Sequence, residues 1–303
     1  MASCAACPAC NSTHSLVFVE SPEDIEYFVQ RKVSAVVRRC QDCRSLFQDP
    51  WPSNEETSTF YGPHYNNYAV SKVPLLSTLH KIALKKEATR FASVYGAHAH
   101  VLDFGCGHAG FLNALQEIGG PSVAGYDFSP HRPSMLNEGI PYFGTESELV
   151  QSGLKFDVIR LNHVIEHLTD YPHAMNMLRS LLNPDGIIMG QTPNAGHYTT
   201  EIFKGRWGNF HYPYHTLLFS RDGLSALAAR TGLHVRSITQ TLMPTAWAMG
   251  TENVIKARLG WQNLGRTPIY TALIAATAPL AIYDRLAPWQ DTNIFDFQLQ
   301  LVG

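Results

Sequence analysis

"VLDFGCGHAGFL", residues 101–112, decides the fold. Apolar residues run as a strand to Asp103 and Phe104, Gly105 and Gly107 turn the chain, and Gly110 opens an apolar helix. Glycine permits positive φ and, lacking a Cβ, lets a ligand approach the backbone. The helix that follows offers N–H groups and its positive dipole end to an anionic group, here a carboxylate. Asp103 lies just ahead of the turn, where it can accept from a cationic amine. Ala109 stands where a third spaced glycine is expected, and Gly110 beside it still lets the helix start close to the strand. Asp127, 17 residues beyond Gly110, ends the next strand at a position suited to ribose hydroxyls. By itself the turn marks a nucleotide site without saying which nucleotide.

Outward from the turn, strands and helices alternate from residue 99 onward. "HVLDFG", "SVAGYDFS", "IPYFG", "KFDVIRLNHV", "GIIMGQTPN" and "LHVRSITQT" read as strands. "GFLNALQEIG", "PHRPSMLNEG", "DYPHAMNMLRSLL" and "SRDGLSALAARTG" read as helices, the last with Ser220 as N-cap and a glycine stop. Repeated β-α units imply a parallel sheet with helices on both faces and ligands beyond the carboxyl ends of the strands. "NIFDFQLQLVG" alternates and reads as a last strand, preceded at 241–293 by a stretch too long for a hairpin and read as a helical insertion. Within it, residues 267–289 are apolar, but prolines and Asp284 interrupt them short of the roughly 20 residues a bilayer span needs. They read as a buried helical pair, or as a surface that meets lipid or an apolar substrate. On the other side of the turn, 75–95 reads as a helix.

Four motifs in succession, "VLDFGCGHAGFL", "VAGYDFS", "FDVIRLNHVIEHL" and "LNPDGIIMGQTPN", resemble those of class I S-adenosylmethionine-dependent methyltransferases over about residues 99–240. The resemblance implies an α/β, Rossmann-like, seven-stranded mixed sheet with helices on both faces, its final strand antiparallel. It implies an S-adenosyl-L-methionine cofactor held at its methionine part by Asp103 and the backbone of Gly105, Cys106 and Gly107. It makes Asp127 the ribose ligand, Phe128 an adenine neighbour, and Asn162 the residue that closes the site. The acid after the third strand has Thr145 and Glu146 as candidates.

Five of the six cysteines fall in the first 43 residues, and no charged-then-apolar leader is visible there, so a reduced, cytoplasmic setting and a metal site are expected rather than disulfides. Cys7 with Cys10 and Cys40 with Cys43 form two C-x2-C pairs able to present four thiolates to one structural Zn2+. Cys4 is read as a bystander. The expected organisation is a zinc-ribbon module at 1–50, an aromatic linker and helix at 51–98, and the methyltransferase domain at 99–303. The segment also resembles the N-terminal zinc ribbon of certain bacterial methyltransferases, which implies that Tyr61, Tyr65 or Tyr68 covers cofactor or substrate.

For a hydroxyl acceptor the enzyme must align the acceptor and remove a proton. The candidate catalytic residues are His163, His167 and His215, with Glu166 and His211 beside them. Three readings stand: a histidine base; a divalent metal on His163, Glu166, His167 and His215; or polar groups that merely cap and pack a helix start. The metal reading rests on similarity to small-RNA 3′-end and ubiquinone-pathway O-methyltransferases, whose first Glu is here His163. A net charge of −2 gives no global case for nucleic acid. The expected acceptor is a small molecule, methylated on a hydroxyl or carbon: a sugar, a lipid-linked sugar or a natural-product intermediate. Peripheral contact with lipid or membrane goes with the apolar insertion. The alternative is an RNA methyltransferase docking through the ribbon, with Arg31, Lys32, Arg38 and Arg39 as phosphate contacts.

Overall fold

In a computed structural model, the described residues are 6–25, 34–61, 74–129, 131–241, 245–261, 266–286 and 291–302. The chain opens with β1 (Ser15–Val19), β2 (Val36–Cys40), β3 (Leu46–Asp49), α1 (Asn54–Ser58) and α2 (Pro74–Tyr95). Next come β4 (His100–Phe104), α3 (Gly110–Glu117), β5 (Ser122–Tyr126), β6 (Tyr142–Phe143), α4 (Glu146–Gln151) and β7 (Phe156–Asn162). Then follow α5 (Tyr171–Leu181), β8 (Leu182–Pro193), α6 (Thr199–Phe203), β9 (Leu217–Leu218), α7 (Arg221–Arg230) and β10 (Leu233–Gln240). The last are α8 (Thr245–Leu259), α9 (Ile269–Leu286) and β11 (Ile294–Leu301).

Among the described residues the main sheet has seven strands in the order β10-β11-β8-β7-β4-β5-β6, and it is mixed. β4 pairs in parallel with β5 and β7, and β5 with β6. The central β4 is flanked on both sides, and its near-continuous apolar run follows from burial on both faces. The expected α/β class and the helical insertion ahead of the last strand are both present.

By contacts the chain forms two compact units. One comprises Asn66–Val164, Pro172–Gly190 and Gln298–Gly303. Its core joins Ala88 and Phe91 of α2 to Phe111, Leu112 and Leu115 of α3, over Val101 and Val158 of the sheet. The Phe91 and Phe111 rings meet edge-on at 5.3 Å.

The other unit comprises Met1–Tyr65, Ile165–Tyr171 and Gln191–Phe297. It contains a four-stranded antiparallel sheet, β1-β2-β3-β9. Its core sets Val37 and Leu46 against Trp207, Phe210, Tyr212 and Leu218. The cysteine segment thus takes its last strand from residues far along the chain. Ser220 caps α7 by accepting from the Gly223 N–H at 2.9 Å, as its sequence signature predicts.

Two expectations need correction. "PHRPSMLNEG" is not a helix: its described residues run as turns. Pro133 disfavours helical backbone at Arg132 and supplies no N–H. Side chains take the backbone groups a helix would use: Arg132 donates to the carbonyls of Ile140 and Asn137, and Asn113 bonds both Met135 and Asn137. The second concerns 267–289, read as a buried helical pair. Its described residues form instead one helix, α9, running through Pro279 with most of its surface exposed. No helix among the described residues is long and apolar enough to cross a membrane.

Candidate cofactor and transfer sites

The glycine turn is built from backbone bonds. The Tyr126 carbonyl accepts from the N–H groups of Gly105 and Cys106, at 2.8 and 2.9 Å, which ties the turn to the end of β5. Gly105 has φ +83° and Gly107 φ +51°. A Cβ on Gly105 would lie 2.5 Å from Val164 Cγ2, so this position has no room for any side chain. Ala109 sits at the N-cap of α3 in left-handed conformation, φ 61° and ψ 20°, fully buried. These features fit a cradle that brings a ligand against bare backbone.

The acid at the end of β5 is joined to that cradle. Asp127 Oδ2 accepts from the Gly107 N–H at 2.7 Å, and Oδ1 from the Ser129 N–H at 3.3 Å. Burial pushes its carboxyl up, and those N–H groups oppose the shift. Phe128 is exposed and meets the rings of Phe104 and Tyr126 edge-on. Cys106 is buried, and burial pushes its thiol up, away from nucleophilic chemistry. Asn162 is half-buried at the end of β7.

Asp103 is buried on β4, and its Oδ1 accepts from Arg160 Nη1 at 2.9 Å. Arg160 also bonds Glu87 at 2.8 Å and lies over the Phe111 ring, 4.1 Å from its centroid. Burial pushes the Asp103 carboxyl up against the pull of Arg160. Burial alone would lower the guanidinium, but Asp103 and Glu87 hold it above its usual value. A charged arginine inside the apolar run "FDVIRLN" was the signal for this pairing, and sequence reasoning passed over it.

The histidines divide. His163 is exposed, with φ +54°, one residue past the end of β7. Ligand-capable atoms of Glu166, His167 and His215 lie within 4.8 Å of one another, a group that does not include His163. The His167 and His215 rings meet edge-on at 4.7 Å, and His211 stacks on His215 at 4.9 Å. His215 Nδ1 is 2.9 Å from the Asn209 carbonyl, and His167 Nδ1 is 3.0 Å from the Tyr214 carbonyl. A carbonyl only accepts, so the Asn209 contact places the His215 proton on Nδ1 and leaves Nε2 as its basic, ligand-capable nitrogen, whereas His167 Nδ1 faces both a carbonyl and a hydroxyl. Tyr61 Oη lies 2.9 Å from His167 Nδ1, and Thr192 donates to Glu166 Oε2 at 2.9 Å. Tyr65 and Tyr68 lie outside the described residues.

The four cysteines converge. Sγ atoms of Cys7, Cys10, Cys40 and Cys43 lie within 4.8 Å of one another. Cys7 and Cys43 are 3.7 Å apart, and Cys10 and Cys40 are 3.5 Å apart. Four sulfurs about 2.3 Å from one tetrahedral zinc would be about 3.8 Å apart, so the set fits that ion. Each pair turns tightly: Asn11 and Arg44 take left-handed φ, their N–H groups donating to the Cys7 and Cys40 carbonyls. Arg230 of α7 donates to the carbonyls of Pro8 and Ala9, and Ser220 to that of Cys43.

Two of the four cations named for RNA are engaged within the protein. Arg38 pairs with Asp49, and Arg39 pairs with Glu201, bonds Thr200 and covers Phe18. Arg31 and Lys32 lie outside the described residues.

Strand order, glycine turn and the acid after the second sheet strand define a Rossmann-like transferase dependent on S-adenosylmethionine. Residues 75–238, over half of the 303-residue chain, match the family described as "Methyltransferase domain", and the chain belongs to that family. No curated relative matches it significantly. Among solved structures it is similar to a SAM-dependent methyltransferase from Archaeoglobus fulgidus, with 16% identity over 72% of this chain and 93% of that one (TM-score 0.46). It is also similar to the cyclopropane synthase MmaA2 from Mycobacterium tuberculosis, with 14% identity over 72% and 83% (TM-score 0.45). A third is the plantazolicin methyltransferase BpumL in complex with a triazolic desmethylPZN analog and SAH, with 16% identity over 78% and 89% (TM-score 0.47).

Proposed function

We propose that this methyltransferase acts on a hydroxyl or carbon of a small molecule: a sugar, a lipid-linked sugar or a natural-product intermediate. The observation that carries the reading is the grouping of Glu166, His167 and His215, with His215 Nδ1 held on the Asn209 carbonyl. His215 so held presents Nε2 as a base of fixed orientation. His215 or His167 would take the acceptor's proton at Nε2, and buried Glu166 would stabilise the imidazolium formed. When bound, S-adenosyl-L-methionine supplies the sulfonium methyl group and leaves as S-adenosylhomocysteine. Asp127 would hold its ribose, the Gly105–Gly107 backbone its methionine end, Phe128 its adenine, and Asn162 would close the site. Asp103 serves that cradle through Arg160, which orients its carboxylate.

The four cysteines would hold a structural Zn2+, since four thiolates leave no open position for chemistry. The division into ribbon, linker and transfer domain at residues 50 and 98, and a cytoplasmic setting, belong to the same reading. Internal pairing of Arg38 and Arg39 disfavours docking of RNA.

Labelled methyl transfer should be screened against sugar nucleotides, lipid-linked sugars, phenolic intermediates and RNA. Transfer confined to RNA overturns the proposal. With an acceptor in hand, His215→Ala should lower kcat by about 100-fold or more while S-adenosylhomocysteine affinity is kept. An unchanged kcat would remove His215 from the chemistry.

A further inference from the structure

α9 is turned inside out. Its fully buried positions are Thr277, Ala281 and Asp284, two of them polar. Asp284 accepts from the Tyr198 hydroxyl and from Trp247 Nε1, each at 2.7 Å. The apolar residues point the other way: Ile282 is 52% exposed, Tyr283 49% and Leu286 73%. Leu259 and Trp261 at the end of α8 are exposed as well. An ordinary surface helix of a water-bathed protein shows the reverse arrangement.

Along this stretch of chain the exposed charges have one sign. Within the described residues from 245 to 286 there are two carboxylates, Glu252 and Asp284, and both are buried. Arg266 pairs with Glu252 at 3.1 Å and lies over the Tyr270 ring, so the outward charges of this stretch are Arg258 and Arg285. Aliphatic and aromatic side chains beside arginines, with no exposed acid among the described residues from 245 to 286, match the boundary between acyl chains and anionic headgroups. A second copy of the same face would bring its own arginines together across a twofold axis. No described helix crosses a bilayer, so the contact would lie in the plane of the surface.

We propose that the outward face of α9, with the exposed end of α8, docks on a membrane surface bearing anionic lipid. The inference stands apart from the identity of the methyl acceptor and needs no catalysis to test. The full chain is sedimented with vesicles of phosphatidylcholine containing about a third phosphatidylglycerol, and with phosphatidylcholine alone. Wild type should partition to the anionic vesicles and much less to the neutral ones. Ile282→Ser with Leu286→Ser should lower partitioning roughly tenfold or more. Leu259→Ser with Trp261→Ser is the second variant should the first fail to fold. Val94→Ser, an exposed apolar position on α2, should leave partitioning unchanged. No partitioning of wild type, or equal partitioning by a folded face variant, overturns the proposal. So does light scattering that finds a lipid-independent oligomer abolished by the same substitutions.

Discussion

Ala109 is the residue that departs from the glycine pattern of the turn, and it pays a conformational penalty there. A left-handed backbone costs a residue with a Cβ about 1 kcal/mol or more, and glycine almost nothing. Ala109→Gly should therefore raise unfolding stability by up to about 1 kcal/mol in a denaturant titration, a gain limited by the greater freedom glycine gives the unfolded chain. Arg160 predicts the opposite sign. Replacing it with Met leaves the buried Asp103 carboxyl without its ion-pair and hydrogen-bond partner, a change that costs about 3–5 kcal/mol. Arg160→Met combined with Asp103→Asn should recover part of the loss, which denaturant titrations of the single and double variants would show. Both residues stood in plain view in "VLDFG" and "FDVIRLN". The lone arginine in an apolar strand announces a buried partner, but only the parallel register of β4 with β7 says that the partner is Asp103.

At the scale of elements, the legible parts were those with a period or a cap. α3, α5 and α7 follow from apolar spacing and end signals, and the C-x2-C pairs made their own convergence readable. β9 was not legible because two residues carry no alternation, yet it supplies the last strand of the cysteine-bearing sheet. The turn segment after β5 was misread because its side chains, not its backbone period, satisfy its polar groups. The cysteine cluster is the element whose chemistry is most directly measurable. Metal analysis should find about one zinc per chain. Its removal by a chelator should lower the melting temperature, and the loss should reach α7, whose N-cap Ser220 bonds the Cys43 carbonyl. A metal-free protein with unchanged melting would contradict this.

For the molecule as a whole, acid stability is set in part by one buried histidine. His197 lies 3.7 Å from Asp284, and burial lowers its pKa to about 4 even though Asp284 and Asp291 oppose that shift. The unfolded imidazole takes its proton near the ordinary value of about 6.5. Between those two values the unfolded state holds the extra proton, so stability that is complete above pH 6.5 is lost as pH falls toward 4. The contribution is of order 3 kcal/mol. Melting temperatures from pH 7 to 4 should fall less steeply for His197→Gln than for wild type. The sequence did not announce this pair, 87 positions apart, nor the meeting of Tyr61 with His167 across 106 positions. Contacts that distant depend on how the chain threads, and no local pattern encodes them. That threading has a hereditary consequence. The two compact units trade places along the chain at five points, so each is assembled from three separate stretches of polypeptide. A single crossover therefore cannot exchange either unit whole, because any one break in the chain divides at least one of them.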